Sequence, residues 1–357
     1  MISRKTPLYQ VHLDAGGKLV EFAGWSLPIH YGSQMDEHHA VRRAAGLFDV
    51  SHMTVVDLHG DAVEAYLRRL LANDVAKIGD GQALYGCMLN EQGGVIDDLI
   101  TYRIEAGFFR TVVNAATRAA DLDWMQRQAE GFEVRISERE DLAMIAVQGP
   151  QARARVIEVL GAPALDEIKP FRASSHGDYF VARTGYTGED GFEVLLPASQ
   201  AVAFWQALVA AGVQPCGLGA RDSLRLEAGL NLYGQDMDTG TTPLVSNLAW
   251  TVAFDPPERD FIGRTALAAQ RDAGVPQRLV GLVLGKGAIP RSGAAVHAPE
   301  GVGQVTSGSF APTLECPIAL ARIPVGESSE VEVELRGKRL PARVVKPPFV
   351  RNGQIKV

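Results

Sequence analysis

Gly93-Gly94-Val95-Ile96-Asp97-Asp98-Leu99-Ile100-Thr101-Tyr102 sets two adjacent aspartates inside an apolar run. The double glycine signals a turn, and the residues after it are strand-like. Successive side chains of a strand point to opposite faces. Asp98 therefore shares a face with Ile100 and Tyr102, and Asp97 shares the other with Leu99 and Thr101. One carboxylate of the pair then points toward apolar surroundings, where it is costly unless something pairs with it. Two readings are open at this point. The pair marks a site, or both residues finish a hairpin, since aspartate is a common turn residue. Alternation argues against a carboxylate dyad of the hydrolytic kind, because neighbours on one strand face apart.

The flanks of this run read as strands and helices in an antiparallel order. Residues 36–45 have helical spacing, and 47–58 read as one strand. Residues 61–72 are helical through Val63, Leu67, Leu70 and Leu71, with Asp61 as a possible cap. Segments 83–90, 95–104 and 108–113 are three strands joined by turns; 119–128 is a helix, and 141–147 is a strand ended by Gln148-Gly149-Pro150. That order suits an antiparallel sheet with helices packed on one side. The pattern then repeats: helix 151–160, strands 178–184 and 191–196 paired across Gly185 to Asp190, helix 199–211, helix 221–232 and helix 265–272. Beyond it, 280–284, 303–308, 318–321 and 331–335 are short strands between Gly/Pro turns, a small β-domain.

Composition narrows the class. A chain of 357 residues suggests two or three domains. A net charge of -7 is a poor match to a nucleic-acid-binding surface. Met1-Ile2-Ser3-Arg4-Lys5-Thr6-Pro7 leads into a polar, mixed segment unlike a secretory signal. No run of about 18 apolar residues is present, so no membrane span is expected. Cys87, Cys216 and Cys316 are far apart and odd in number, which suits neither a disulfide framework nor a CxxC metal site. A reducing, cytoplasmic setting follows as the default.

Three further stretches carry chemistry. In Gly185-Tyr186-Thr187-Gly188-Glu189-Asp190-Gly191-Phe192-Glu193-Val194, Glu193 lies beyond the turn on a strand headed into a core. A carboxylate held there could accept two parallel N–H bonds from an amidine-like edge, a guanidinium or a 2-aminopyrimidinone. A structural salt bridge to an arginine uses the same geometry, and both readings stay open. Pro215-Cys216-Gly217-Leu218-Gly219-Ala220-Arg221-Asp222 opens a helix, with Arg221 in its first turn. It is neither a GxGxxG fingerprint nor a P-loop. The bland reading is a surface network of Arg221, Asp222 and Arg225. His38-His39 suits no common metal spacing and reads as an exposed helix pair. His52 reads as a core histidine or a polar contact, and Cys87 as a buried filler. Together these residues suggest a pocket for a planar, polar, aromatic ligand.

The motifs in combination resemble the T-protein of the glycine cleavage system, a tetrahydrofolate-dependent aminomethyltransferase. The matching stretches are Thr6-Pro7-Leu8-Tyr9, Phe22-Ala23-Gly24-Trp25, Gly46-Leu47-Phe48-Asp49-Val50-Ser51-His52-Met53, Gly93 to Leu99, Val113-Asn114-Ala115, Thr184 to Glu193, Gly217 to Glu227, Tyr233-Gly234-Gln235-Asp236-Met237-Asp238, and Thr306-Ser307-Gly308 through Pro312-Thr313-Leu314. They run in family order over nearly the whole chain.

The resemblance implies an α+β fold of three domains around a central folate cavity. Two related antiparallel-sheet α+β domains would be formed by residues 1–52 plus 148–274 and by an insert, 53–147, which carries Asp98. A barrel-like β-domain would follow at 275–357. It implies transfer of a one-carbon unit from the aminomethyl-dihydrolipoyl arm of the H-protein to tetrahydrofolate, with release of ammonia. Tetrahydrofolate would be a substrate, and no metal, nucleic acid or membrane would be involved. Carried over by position, Asp98 would contact the reacting edge of the folate, orient its amine and favour positive charge there. Glu193 would bind the aminopyrimidine edge, and Arg221 would lie near the pterin carbonyl or fix Glu193. Tyr85, Asn114 and Tyr186 would line the cavity, and Arg351 would join the folate-binding residues. Asp97 would then be a support on the opposite face, paired with Arg103 or a backbone amide.

Departures from the family pattern fall in the last domain. Leu314-Glu315-Cys316-Pro317 stands where the family commonly has glycine after the leucine, and the stretch 287–303 is short. Two competing readings share the fold. One is a folate-dependent demethylase acting on a small N- or S-methyl compound. The other is a non-catalytic folate-binding factor of iron–sulfur assembly, whose Lys-Gly-Cys motif is absent from this chain.

Overall fold

The apolar run 47–58 forms two strands in two different sheets, not one. Gly46–Asp49 ends where Asp49 Oδ1 accepts the Ser51 amide at 2.9 Å, and the chain turns through Ser51 and His52 before Thr54–His59 begins. This turn is the hinge of the architecture, because the first strand belongs to a six-stranded sheet and the second to a five-stranded one. The computed structural model describes residues 3–287 and 289–357. Met1, Ile2 and Ala288, which belong to the N-terminal segment and the 287–303 stretch read above, lie outside the described residues.

The six-stranded sheet runs Ala173–His176, Tyr179–Ala182, Gly191–Pro197, Leu142–Gln148, Gly46–Asp49, Gln214–Pro215. All its ladders are antiparallel except the last, where Gln214 pairs in parallel with Gly46. One face is covered by the helices Ala152–Leu160 and Ala201–Ala210, over a core that includes Leu47, Ile145, Val147, Val194, Leu196 and Trp205. The five-stranded sheet runs Ala83–Leu89, Val95–Glu105, Phe108–Val113, Thr54–His59, Arg135–Glu138. Its covering helices are Val63–Leu70 and Arg118–Gln128, over Leu58, Tyr66, Leu67, Leu99, Phe109 and Met125. Phe48, Met144, Phe180 and Leu195 of the first sheet meet Val55, Tyr102 and Val112 of the second in a shared core. The two layers thus turn their open faces toward each other, which removes apolar surface that each alone would leave wet.

Residues 277–345 close into a six-stranded antiparallel barrel around Leu282, Val296, Val305, Ala321, Ile323 and Val333. The fold is therefore α+β with a C-terminal β-barrel, as expected.

Several boundaries differ from the sequence reading. The division between 147 and 148 falls inside Leu142–Gln148, whose ladder partners all lie in the six-stranded sheet. The helix expected at 221–232 spans Leu218–Glu227. It starts early because Gly217 is an extended N-cap whose Cβ would lie 2.5 Å from the Ile29 carbonyl carbon. Asp61 caps nothing: the helix begins at Val63, and Ala62 occupies the cap without a side-chain bond. The strands Lys18–Phe22, Trp25–His30, Arg135–Glu138, Ala295–Ala298 and Lys338–Val345 carried no signal strong enough to be read.

Candidate active site

Two glycines build the turn ahead of the paired aspartates. Gly93 has φ 82°, and a Cβ on Gly94 would come within 1.9 Å of the Thr239 carbonyl oxygen. The strand then runs antiparallel to Ala83–Leu89, with Asp97 opposite Met88 and Asp98 opposite Cys87. A bulge at Ile96 shifts the register just before the acids. Alternation acts as read from the sequence. Asp97, Leu99 and Thr101 are buried toward the helix layer, while Asp98 and Ile100 are half-buried and line a cavity.

That cavity, of about 1420 Å³, carries in its wall Tyr85, Asp98, Asn114, Tyr186, Glu193, Arg221 and Arg351. All seven residues singled out from the sequence therefore share one enclosure. Around Asp98 the geometry is closed on both oxygens. The Tyr85 hydroxyl donates to Oδ2 at 2.8 Å, and Asn114 Nδ2 donates to Oδ1 at 3.0 Å. Asn114 also holds Asp97, through its backbone N–H to Oδ2 at 2.9 Å and through Nδ2 to Oδ1 at 2.8 Å. Asp97 is thus supported by a backbone amide. Arg103 is engaged elsewhere, with Glu64 at 3.0 Å and Asp80 at 2.9 Å. Burial, reinforced by Asp97, pushes the Asp98 carboxyl up to about 7, against the pull of the Tyr85 and Asn114 hydrogen bonds. Tyr85 is itself covered by Trp250, whose ring stacks on it at 6.0 Å and stands 67 % exposed at the cavity wall.

Elsewhere in the wall, Glu193 Oε2 accepts the Thr184 hydroxyl at 2.6 Å, which in turn meets the Tyr102 hydroxyl at 3.2 Å. Glu193 Oε1 has no hydrogen-bond partner among the described residues. Burial raises the Glu193 carboxyl, and Thr184 and Arg221 pull it back. The Arg221 guanidinium lies 4.8 Å from the centre of the Tyr186 ring, and its Nη1 is buried without a partner. Tyr186 is fixed at its other end by its hydroxyl, which donates to the Asn231 carbonyl. An acid with a free oxygen, a cation with a free donor and an aromatic face therefore line the same cavity. Arg351 is exposed on the short strand Val350–Arg351.

The surface network expected at Arg221, Asp222 and Arg225 is not one. Arg225 is buried and binds Asp236 at 3.0 Å and Ser307 of the barrel at 3.1 Å, as well as Asp222 at 2.9 Å. His38 is likewise buried rather than exposed. Its Nδ1 lies 2.8 Å from the Ser223 hydroxyl and its Nε2 3.2 Å from Glu227, which Arg42 also binds at 2.9 Å. His52 is buried with Nδ1 unpartnered, and burial beside Arg221 pushes it down to about 4, so it is a neutral imidazole in the cavity wall. Trp250 and Arg225 were not singled out as site residues, since a lone aromatic and a helical arginine carry no motif. Among the described residues no group of three His, Cys, Asp or Glu side chains is placed to hold a metal, and no helix is long and apolar enough to cross a membrane.

Residues 8–256 match the family model described as GCVT N-terminal domain, and residues 277–351 match the Glycine cleavage T-protein C-terminal barrel domain. The chain belongs to the glycine cleavage T-protein family. An aminomethyltransferase of Xanthomonas axonopodis pv. citri (strain 306) is 56% identical over 362 residues, covering 99% of this chain and 98% of its own. One of Xanthomonas oryzae pv. oryzae (strain MAFF 311018) is 57% identical with the same coverage. The crystal structure of the glycine cleavage system aminomethyltransferase T from Bartonella henselae superposes with a TM-score of 0.93 at 39% identity, covering 99% of both chains. The T-protein fold thus extends over the barrel as well as both sheet layers.

Proposed function

We propose that this aminomethyltransferase of the glycine cleavage system uses Asp98 to act on the reacting amine of tetrahydrofolate. The other substrate is the aminomethyl group on the dihydrolipoyl arm of the H-protein, and the products are methylene-tetrahydrofolate, ammonia and the free dihydrolipoyl arm. The observation that carries the reading is the Asp98 carboxylate, held on both oxygens by Tyr85 and Asn114 at the wall of a cavity large enough for a folate. Each oxygen keeps a lone pair for a ligand amine. An ionised carboxylate fixed there favours the positive charge that develops on the attacking nitrogen, with no reorganisation at the moment of reaction.

Glu193 presents Oε1 and a second lone pair on Oε2 to the aminopyrimidine edge of the pterin, a bidentate acceptor for two parallel N–H donors. Arg221 is the complementary donor for the pterin carbonyl, and Tyr186 supplies an aromatic face. Arg351 lies on the same wall and suits the carboxylate end of the folate. The three free cysteines fit a reducing compartment, the cytoplasm. The deciding experiment is incubation with tetrahydrofolate and aminomethylated H-protein. Ammonia release that needs both supports the reading; methyl transfer to tetrahydrofolate from a free methylamine, without the carrier and with no ammonia from the aminomethylated H-protein, overturns it.

A further inference from the structure

Behind Asp98, on the side away from the cavity, lies a third acid. Asp121 stands in the first turn of Arg118–Gln128 and is 0 % exposed, and neither of its carboxylate oxygens has an N–H or O–H partner. It lies within hydrogen-bond reach of Asp97, also 0 % exposed. Among the described residues, beside Asp97 itself, the one other donor that acts on Asp121 is the Thr117 hydroxyl, which the Asn114 carbonyl also engages. The Thr117 hydroxyl donates to the Asn114 carbonyl at 3.0 Å, the Tyr233 hydroxyl to the Val95 carbonyl at 3.1 Å, and the Tyr85 hydroxyl to Asp98. Cys87, opposite Asp98, is a buried thiol pushed well above its ordinary range. Of the described residues, no lysine, arginine or histidine is among the leading influences on the Asp97, Asp98 or Asp121 carboxyls.

Two buried carboxylates in contact, without a cation, cannot both ionise at tolerable cost. A single proton between them supplies the missing hydrogen bond and leaves one charge, which the pair titrates as a unit. The two members are not equivalent. Both Asp97 oxygens already accept N–H bonds from Asn114, as an anion does best, whereas an ionised Asp121 would have only the Thr117 hydroxyl, already engaged by the Asn114 carbonyl. We propose that Asp97 and Asp121 hold one proton between them in the folded protein at neutral pH, with Asp121 as the donor, and that Asp121 is thereby a positioning residue for Asn114 and, through it, for Asp98. The chain of contacts is continuous. Asp121 donates to Asp97, Asp97 accepts both Asn114 N–H groups, and Asn114 Nδ2 reaches Asp98 Oδ1 at 3.0 Å. The positioning half rests on the role given to Asp98 above; the shared proton does not. Burial pushes both carboxyls of the pair upward, which suits one proton held between them; the assignment of Asp121 as donor rests on the two Asn114 N–H bonds to Asp97 alone.

The test uses the full chain with Asp121→Asn, which keeps an N–H donor and cannot ionise. In an Asp98→Asn background, which removes the neighbouring carboxyl that itself titrates near neutrality, the infrared difference on adding Asp121→Asn is expected to show loss of the C=O stretch of a protonated carboxyl at neutral pH, sensitive to D2O. A band that survives the substitution overturns Asp121 as the donor. Stability supplies a second readout. The folded chain binds one proton more than the unfolded chain once pH exceeds about 3.9, the ordinary aspartate value, so wild-type stability falls as pH rises from there through the folded-state value. The Asn variant is free of that fall, so its advantage in denaturant midpoint widens from about pH 4 to neutrality; a gap constant with pH is mere packing and overturns the shared proton. For the positioning half, Asp121→Leu removes the donor and is expected to turn over roughly tenfold or more slower than Asp121→Asn, with folate affinity alike in both. Equal turnover overturns it. If Asp98→Asn turns over normally, the reading of Asp98 fails and takes the positioning role with it, while the infrared band and the pH-dependent gap still decide the proton.

Discussion

The Tyr85 hydroxyl donates to Asp98 Oδ2 at 2.8 Å across two neighbouring strands. Tyr85 sits opposite Ile100, so its ring reaches diagonally to the residue two positions before, on the same face of the sheet. The bond fixes the carboxylate plane and opposes the burial that pushes Asp98 up. Asp98→Asn keeps the shape and removes the charge. Turnover should fall by about 10²–10³-fold, with the melting curve and folate affinity little changed, since only stabilisation of the developing charge is lost. Turnover within a few-fold of wild type, in single-turnover assays, removes Asp98 from the chemistry.

The same carboxyl sets a pH dependence. Held up to about 7 by burial and by Asp97, Asp98 is ionised above that pH and protonated below it. If the ionised form is the active one, kcat declines as pH falls through about 7. In Tyr85→Phe a hydrogen bond that favours the anion is gone, so the midpoint of that acid limb moves to higher pH. A wild-type profile flat from about pH 6 to about pH 8 contradicts the assignment.

Glu193 is the test of the pterin edge. Its free Oε1 and its buried position mean that a ligand N–H pair left facing alanine loses a charged acceptor, a loss of about 1.5–3 kcal/mol. Glu193→Ala should therefore weaken tetrahydrofolate binding by roughly 10- to 100-fold in calorimetry. Unchanged affinity assigns Glu193 to the Thr184–Tyr102 hydroxyl network alone.

The strands around Asp98 were legible because glycine turns punctuate them: Phe108–Val113 begins and ends where it was read, and Val95–Glu105 runs one residue longer. The run 47–58 was not. Hydrophobicity continues through Val50 and Met53 while the backbone leaves one sheet for another, and the break is made by side-chain bonds of Asp49 and Ser51 that no periodicity records. The cavity residues were legible through the family resemblance, not through spacing. His38, Arg42, Arg225 and Glu227 look like an ordinary charged helical surface in sequence. Their burial follows from partners far along the chain, such as Arg42 and Glu227, which lie 185 positions apart.

That buried node predicts a stability effect. Glu227 is 0 % exposed, accepts Arg42 Nη2 at 2.9 Å and the Thr313 hydroxyl at 2.7 Å, and lies 3.2 Å from His38. Glu227→Ala leaves the Arg42 cation buried with only Glu189 and two carbonyls to face it. The expected cost is about 3–5 kcal/mol, read from denaturant midpoints. A cost below about 1 kcal/mol would mean that water enters and solvates Arg42.

Glu315 offers a gain. It is exposed and holds φ 56°, in the left-handed region that favours glycine. A side chain there costs about 1–2 kcal/mol, offset in glycine by about 0.5–1 kcal/mol of unfolded-state entropy. Glu315→Gly should raise stability by up to about 1 kcal/mol without altering turnover. A lower melting temperature would show that the Glu315 side chain contributes a favourable contact.

Gly46–Asp49 and Leu142–Gln148 are hydrogen-bonded neighbours, and the entire five-stranded sheet is threaded between them. During synthesis the first of these strands leaves the ribosome long before its central partner exists, and Gly191–Pro197, which must flank that partner, comes later still. The intervening segment meets a shorter delay: its three middle strands follow one another in short hairpins, and Thr54–His59 waits for Phe108–Val113 and Arg135–Glu138, all of which precede Leu142–Gln148. The interior of the polypeptide is thus the part able to fold first, and the N-terminal strand waits for it as an unpaired, apolar edge. The substrate chamber, whose walls draw on both sheets, comes into being only when that waiting strand is finally enclosed.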